Sequence, residues 1–387
     1  MQEIMSEDEI IGEVTGSPFM GRSGLRLIIA GGGTGGHIFP AVAIANAIKE
    51  KQPGTEILFV GAKGKMEMEK VPQAGYNIKG LDIAGYERSS LTKNIWLPVK
   101  LIRSFGQVRS IVGSFKPDAA IGVGGYSSFP VLKYAQHKHI PTFIHESNSF
   151  AGKSNIWLGK SAAKIFVASN GMEKFFPAGK LVITGNPVRK NIVQSNTTRA
   201  EALRFFGLDE NKTTILVVGG SLGAKSINEV IASHILEFDS LGLQLIWQTG
   251  KTTASAYIDR AKPLKNIWAS DFINEMNKAY AAADIVISRA GAMAVAELCV
   301  VKKPVIFVPF PFAAEDHQTM NAKYLADRDA ALLVKDEFAA SKLFTEMVSL
   351  AKDKDKQDKL KNNIAAFAVT NADEKIADEI FKTLFRP

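Results

Sequence analysis

The stretch "LRLIIAGGGTGGHIFPAVAIANAIKE", Leu25 to Glu50, decides the fold. An apolar run, a cluster of glycines and an alanine-rich segment follow one another, the pattern of a buried strand that turns directly into a helix. Gly31-x-Gly33-x-x-Gly36 has the spacing of a dinucleotide-binding turn. In such a turn the glycines let the backbone approach a phosphate, and the helix start offers N–H groups and a positive dipole end. Phosphate is the expected guest. A nicotinamide dinucleotide would also need an acid at the C-terminal end of the second strand, to hold the ribose diol. That strand ends "FVGAKGK" (59–65), and the nearby acid, Glu56, stands at its other end, which argues against NAD.

Outward from this unit, the apolar runs "EILFVG" (56–61), "AAIGVG" (119–124), "PTFIHE" (141–146), "KIFVAS" (164–169) and "LVITGN" (181–186) alternate with helix-length segments. This is the signature of a parallel sheet with helices on both faces. The pattern restarts at "TTILVVGGSLGAKSINEVIA" (213–232), followed by "LQLIWQTG" (243–250), "NIWASDF" (266–272), "ADIVISRAGA" (283–292) and "KPVIFVPF" (303–310). The fold class expected is α/β, with two Rossmann-like parallel-sheet domains. The expected organisation is an acidic tail over 1–24, an N-terminal domain over 25–187, a C-terminal domain over 188–370 and a C-terminal helix over 371–387 that packs back on the first domain.

The chain has 387 residues, 46% of them hydrophobic, enough for two cores. Its single cysteine, Cys299, sits in an apolar helical stretch and is expected to be a core thiol of a reducing compartment. Residues 1–24 lack the basic and apolar regions of a signal peptide, and no apolar run is long enough for a bilayer span. The net charge of +8 points to an anionic partner. The excess is local: between Arg88 and Ile140 eight Lys/Arg face one acid, Asp118. No nucleic-acid signature accompanies it.

The first turn also carries Thr34 and His37, with Pro40 expected in the first helical turn. The helix dipole lowers the pKa of an imidazole at a helix N-terminus, so His37 should be neutral and able to accept a proton. The second turn, "GGSLGAKS" (219–226), fails the Walker A pattern, which requires glycine where Ala224 stands. ATP hydrolysis is not expected, but Ser221 and the neighbouring N–H groups can hold a diphosphate. In "GVGGYSSFP" (122–130), Gly124 and Gly125 precede Tyr126 and Ser127 at a strand's end, a second place for a diphosphate.

These stretches, with "IHESN" (144–148), "GNPVR" (185–189), "DFINEM" (271–276), "SRAGAMAVAE" (288–297) and "EDHQTMNA" (315–322), occur in the order seen in the MurG family, which the chain resembles from about Leu25 onward. That family consists of bacterial UDP-GlcNAc:undecaprenyl-pyrophosphoryl-MurNAc-pentapeptide N-acetylglucosaminyltransferases. The resemblance implies the GT-B fold, with its two domains facing across a cleft, and an inverting, cofactor-free transfer of GlcNAc that turns lipid I into lipid II. It also implies a peripheral place on the cytoplasmic face of the bacterial cell membrane and other cell-wall synthesis proteins as partners. Carried over by motif, Glu297 would take the ribose hydroxyls with Gln318 as its partner, the Ile273 backbone would read uracil, and Ser221 and Arg189 would lie near the donor diphosphate. Asn148 would contact the GlcNAc hydroxyls, with Thr34, Gly35, Gly36 and His37 near the reacting carbon. The acceptor diphosphate would meet Gly124, Gly125, Tyr126 and Ser127. His37 is the first choice for general base on the MurNAc 4-hydroxyl and Glu146 the second. His317 departs from the glutamine found in some relatives.

No metal-ligand spacing occurs among the six histidines, and the Asp327-Arg328-Asp329 pair reads as a helix end with surface acids. In "TKNIWLPVKLIRSFGQVRSIVGSF" (92–115), Trp96, Leu97, Leu101, Ile102 and Phe105 lie among Lys93, Lys100, Arg103 and Arg109. That mixture suits either an anionic membrane surface or an amphipathic core helix. Other GT-B transferases, a UDP-GlcNAc 2-epimerase and a non-catalytic nucleotide-binding module share many of the donor features.

Overall fold

The computed structural model describes residues 24–84, 97–252, 254–313 and 316–385. Strand β1 (Arg26–Ala30) is buried from Leu27 onward and pairs in parallel with both β2 (Glu56–Ala62) and β4 (Ala119–Gly122). With β3 (Asn77–Leu81), β5 (Thr142–Glu146), β6 (Lys164–Val167) and β7 (Leu181–Ile183) they form a seven-stranded parallel sheet in the order β3-β2-β1-β4-β5-β6-β7. Successive side chains of β1 serve two layers, as the twofold period of a strand requires. Leu27 and Ile29 pack with Ile44 and Ile48 of the Gly35–Lys51 helix, while Ile28 packs with Leu132 and Ile144.

The second sheet repeats this plan. Strands β8 (Thr213–Val218), β9 (Leu243–Gln248), β10 (Ile267–Ser270), β11 (Ile285–Ser288), β12 (Val305–Phe307) and β13 (Leu332–Leu333) run in the order β10-β9-β8-β11-β12-β13. In both sheets the first strand stands where the order reverses, between β2 and β4 and between β9 and β11. The loops that leave the C-terminal ends of such neighbours diverge and open a ligand crevice. Segments of the two domains meet: Ser149, after β5, reaches Asn321 of the His317–Ala326 helix at 3.4 Å, and the ammonium of Lys70, in the Glu67–Gln73 helix, lies 5.0 Å from the centre of the Phe272 ring, after β10.

The helix Ala372–Leu384 follows the second sheet but returns to the first domain. Ile376, Ala377, Ile380 and Leu384 lie on one helical face and enter the layer that holds Ile44, and Lys51 pairs with Asp378 at 2.7 Å. Burial of each large aliphatic chain contributes about 1.5–3 kcal/mol, which ties the end of the chain to its beginning.

Two expectations are corrected here. The first helix starts at Gly35, so Pro40 falls in its second turn, where it removes the N–H that would otherwise reach the Gly36 carbonyl. Strand β3, "NIKGL", was not anticipated, because as an edge strand it alternates exposed and half-buried positions and carries few apolar residues. Among the described residues no helix is long and apolar enough to cross a membrane.

Candidate active site between the two glycine turns

Gly31, Gly32 and Gly33 do not present their amides to a ligand. Gly31 N–H donates to the Val60 carbonyl (3.1 Å), Gly32 N–H to the Gly124 carbonyl (3.3 Å) and Gly33 N–H to the Glu67 carboxylate (2.7 Å). An anion at this turn would therefore meet the helix start rather than the glycine amides. Among the described residues, the amides from Thr34 to Gly36, at the helix start, remain for an anion. Thr34 is the exposed N-cap residue, and its hydroxyl does not turn back to cap the helix.

Glu67, which the sequence reading missed, is 1% exposed. Its second oxygen accepts from Ala62 N–H at 2.9 Å, so one carboxylate joins the end of β2 to the first glycine turn. A Cβ at Gly32 would lie 2.2 Å from the Glu67 carboxyl carbon, and one at Gly61 would lie 2.5 Å from its Cγ. Those two glycines make the space that the carboxylate fills.

His37 Nδ1 lies 3.0 Å from the Gly32 carbonyl. A carbonyl only accepts, so Nδ1 carries the proton and Nε2 is left as a basic lone pair. Burial lowers the His37 pKa, opposed by the Gly32 hydrogen bond and by the charges of Glu146 and Glu67. The direction is the one expected, and burial is its largest cause. Against this ring lies the Gly124–Gly125 turn: a Cβ at Gly124 would approach His37 Nε2 to 2.7 Å, and one at Gly125 would approach the Gly32 carbonyl oxygen to 2.4 Å. Both glycines have positive φ, 94° and 87°. The turn leads into the Ser128–His137 helix, with Tyr126 exposed and Ser127 buried. The Ser127 hydroxyl has no hydrogen-bond partner among the described residues, whereas Ser128 Oγ donates to the Ala30 and Gly124 carbonyls at 2.7 and 2.9 Å.

Glu146, the second candidate base, is engaged as a loop clamp. It accepts from Asn148 N–H (3.1 Å), Asn148 Nδ2 (3.2 Å), Gly152 N–H (3.1 Å) and Asn155 Nδ2 (2.8 Å), with both of its oxygens in use. It therefore shapes the loop that carries Asn148. Beside it His145 is 1% exposed, with neither ring nitrogen hydrogen-bonded among the described residues. Burial, and secondarily the neighbouring His37, push its pKa down to about 4.

Across the cleft, Ser221 lies in the turn that precedes the Lys225–Ser233 helix. Gln248 bridges this turn to the next: its Nε2 donates to the Gly220 carbonyl at 3.1 Å, and its Oε1 accepts from Ile273 N–H at 3.0 Å. The Ile273 amide is thus engaged, and only its carbonyl is left to meet a base. Glu297 and Arg189, expected at different parts of a donor, pair with each other. Arg189 Nε and an NH2 group lie 3.0 and 2.9 Å from one Glu297 oxygen, and the Tyr280 hydroxyl donates to the other at 3.1 Å. The Arg189 guanidinium also lies 4.3 Å from the centre of the Phe39 ring, two residues beyond His37. Gln318 accepts from Phe310 N–H at 3.0 Å and so ties its helix start to the strand-end loop. His317 lines an interdomain cavity of about 690 Å³ with Ser147, Asn186 and Asn321. Asp327 and Asp329 each pair with a surface lysine, Lys323 and Lys359.

On the outer face of the first domain, Trp96 falls outside the described residues, and Leu97 begins the helix that runs to Phe115. Ile102 is 73% exposed and Leu101 half-buried. Phe105 is half-buried, and its ring meets Phe129 edge-on at 6.5 Å. Phe129 in turn stacks at 5.2 Å on the exposed Trp157, and Lys133 lies 4.3 Å above the Trp157 ring. Trp157 lies in the short Lys153–Gly159 helix, outside the motifs singled out in the sequence. Cys299 is a buried thiol whose pKa is pushed up to about 12 by burial.

Residues 27–167 match the family model for the glycosyltransferase family 28 N-terminal domain, and residues 214–380 match that for its C-terminal domain. The chain is 51% identical over 361 residues to the UDP-N-acetylglucosamine--N-acetylmuramyl-(pentapeptide) pyrophosphoryl-undecaprenol N-acetylglucosamine transferase of Phocaeicola vulgatus, covering 92% of this chain and 96% of that one. It is 49% identical over 364 residues to the enzyme of the same name from Parabacteroides distasonis, covering 93% and 98%. The crystal structure of Acinetobacter baumannii MurG superposes with a TM-score of 0.71 at 28% identity, covering 92% of this chain and 99% of that one.

Proposed function

This chain belongs to the MurG family of N-acetylglucosamine transferases, within glycosyltransferase family 28, and from that premise we propose how its cleft carries GlcNAc from UDP-GlcNAc to undecaprenyl-pyrophosphoryl-MurNAc-pentapeptide in peptidoglycan synthesis. The N-terminal domain, 25–187, takes the acceptor and the C-terminal domain, 188–370, takes the donor. The observation that carries this division is the fixed His37 imidazole, whose free Nε2 faces the Tyr126 turn.

His37 Nε2 accepts the proton of the MurNAc 4-hydroxyl as that oxygen attacks C1 of GlcNAc, and UDP leaves from the opposite face, which inverts the anomeric centre. Asn148, held by Glu146, positions the GlcNAc hydroxyls. The acceptor diphosphate lies at the start of the Ser128–His137 helix, where the unpartnered Ser127 hydroxyl awaits a group to bond. On the donor side the ribose diol competes with Arg189 for Glu297, and the freed guanidinium moves to the diphosphate beside Ser221. Uracil meets the Ile273 carbonyl, and Gln318 completes the donor side. Helix dipoles and Arg189 stabilise the departing charge.

The lipid-bearing acceptor is reached from the cytoplasmic membrane face. Val99, Ile102 and Trp157 are exposed apolar groups with Lys100, Arg103 and Lys133 around them. Each such cation contributes about 1 kcal/mol at an anionic leaflet.

The test is transfer of labelled GlcNAc from UDP-GlcNAc to a short-chain lipid I analogue in EDTA, with wild type and His37→Ala. Acceptor-dependent product from the wild type, lowered by roughly 10²–10⁴-fold in the variant, is the expected result. UDP-GlcNAc consumed without acceptor would point to an epimerase instead.

A further inference from the structure

Gly33 N–H and the Gly32 carbonyl belong to one peptide group. On one side of it stands Glu67, which accepts the N–H at 2.7 Å; on the other stands His37, whose Nδ1 lies 3.0 Å from the oxygen. We propose that Glu67 is a positioning residue for the reaction: its carboxylate, acting through the Gly32–Gly33 peptide, holds His37 with the proton on Nδ1 and Nε2 directed at the acceptor hydroxyl.

The chemistry is that of a carboxylate–histidine pair with an amide inserted between the partners. A carboxylate that accepts from an N–H draws electron density toward the carbonyl end of the same peptide, and hydrogen bonds in such a chain strengthen one another in a low-dielectric interior. The carbonyl becomes a better acceptor for Nδ1–H. Reversing the ring, or moving its proton to Nε2, would cost that bond, so orientation and tautomer are set together.

Glu67 is built for this place. It is 1% exposed, and its other oxygen is anchored by Ala62 N–H at 2.9 Å, so the carboxylate cannot swing away. Gly32 and Gly61 leave the space that it fills. The other titratable groups that bear on His37 are Glu146 and His145, both from β5. Glu146 acts on it through space only, because its oxygens are bonded to residues 148, 152 and 155. Among the described titratable groups, Glu67 is the one connected to the imidazole by consecutive hydrogen bonds.

This inference rests on His37 being the general base, and the experiment separates the two. Transfer rates and their pH profiles are measured for wild type, Glu67→Gln, His37→Ala and the double variant, with Glu67→Asp as the conservative change. Glu67→Gln should lower kcat about 10- to 100-fold, as loss of an orienting partner does. It should also move the acid limb of the profile to lower pH, because a negative charge that raises the His37 pKa is gone. Glu67→Asp should recover part of the rate. In the His37→Ala background, the Glu67 change should have almost no further effect.

A readout that needs no substitution is the Gly33 amide proton resonance of the wild-type protein, which should titrate together with the His37 ring. Equal, multiplicative losses in both backgrounds, an unmoved acid limb, or a Gly33 amide that ignores the His37 titration would overturn the proposal and leave Glu67 a loop strut. Full activity in His37→Ala would overturn the general-base reading instead, while the Gly33 titration would still decide whether the two groups are linked.

Discussion

The two glycine turns start from the same plan, strand into turn into helix, and end with opposite electrostatics. The first has a buried carboxylate behind it, all three amides of its glycine run engaged within the protein, and a neutral imidazole at its helix start. In the second, Gly223 N–H donates to the Gly220 carbonyl (3.0 Å), Gln248 Nε2 to that same carbonyl (3.1 Å) and Lys251 N–H to the Ser221 carbonyl (3.3 Å), and the Ser226 hydroxyl donates to the Asp336 carboxylate; among the described residues no carboxylate accepts from the turn's amides. Lys225 follows at the helix start. The amides of the first glycine run are thus taken up within the protein, one of them by a carboxylate, and those of the second meet no carboxylate among the described residues. With a carboxylate behind it, the first backbone turn holds an imidazole. On the reading proposed above, the difference between the turns rests on one residue, Glu67, outside either motif.

The contrast can be broken sterically. Gly125→Ala places a Cβ 2.4 Å from the Gly32 carbonyl oxygen at a φ of 87°, so strain and overlap add to roughly 2–6 kcal/mol in urea unfolding. Gly220→Ala in the second turn has a similar φ, 89°, but open space around it, and should cost only about 1–2 kcal/mol. Equal losses would mean that the two first-domain turns do not interlock.

Acid should also tell the halves apart. The native fold keeps His145 neutral down to a pH of about 4, whereas in the unfolded chain it takes a proton near the usual 6.5. The unfolded state thus binds more protons across that window, and stability should fall by about 3 kcal/mol as the pH drops through it. His145→Gln should flatten the slope, and an unchanged slope would place the acid sensitivity elsewhere.

Smaller effects sharpen the donor side. Tyr280→Phe removes a single hydrogen bond to Glu297 and should weaken UDP binding by about 1 kcal/mol, measured by titration calorimetry. Arg103→Ala should reduce partitioning onto anionic vesicles by about 1 kcal/mol and leave neutral vesicles unaffected.

Most of the architecture is legible in the sequence, because strands buried on both faces must be continuous apolar runs and the two glycine turns mark the first strand of each sheet. Edge strand β3 escapes for the converse reason: only Ile78 and Leu81 carry large apolar side chains. The site is less legible. His37 stands inside its motif, but Glu67 lies in "KGKMEMEK", which by composition is a solvated face, and only its packing beneath Gly32 reveals its role. Likewise, nothing in sequence pairs Arg189 with Glu297, which stand 108 residues apart, or shows that Gln248 takes the Ile273 amide. Local pattern records what an element buries; it does not record which distant side chain completes its hydrogen bonds.

The most direct test of the division between the turns is the affinity of His37→Ala for UDP, measured beside its turnover. The dissociation constant should stay close to that of the wild type while the transfer rate collapses. A large loss of UDP affinity in step with the loss of rate would contradict it and make the first turn part of the donor site.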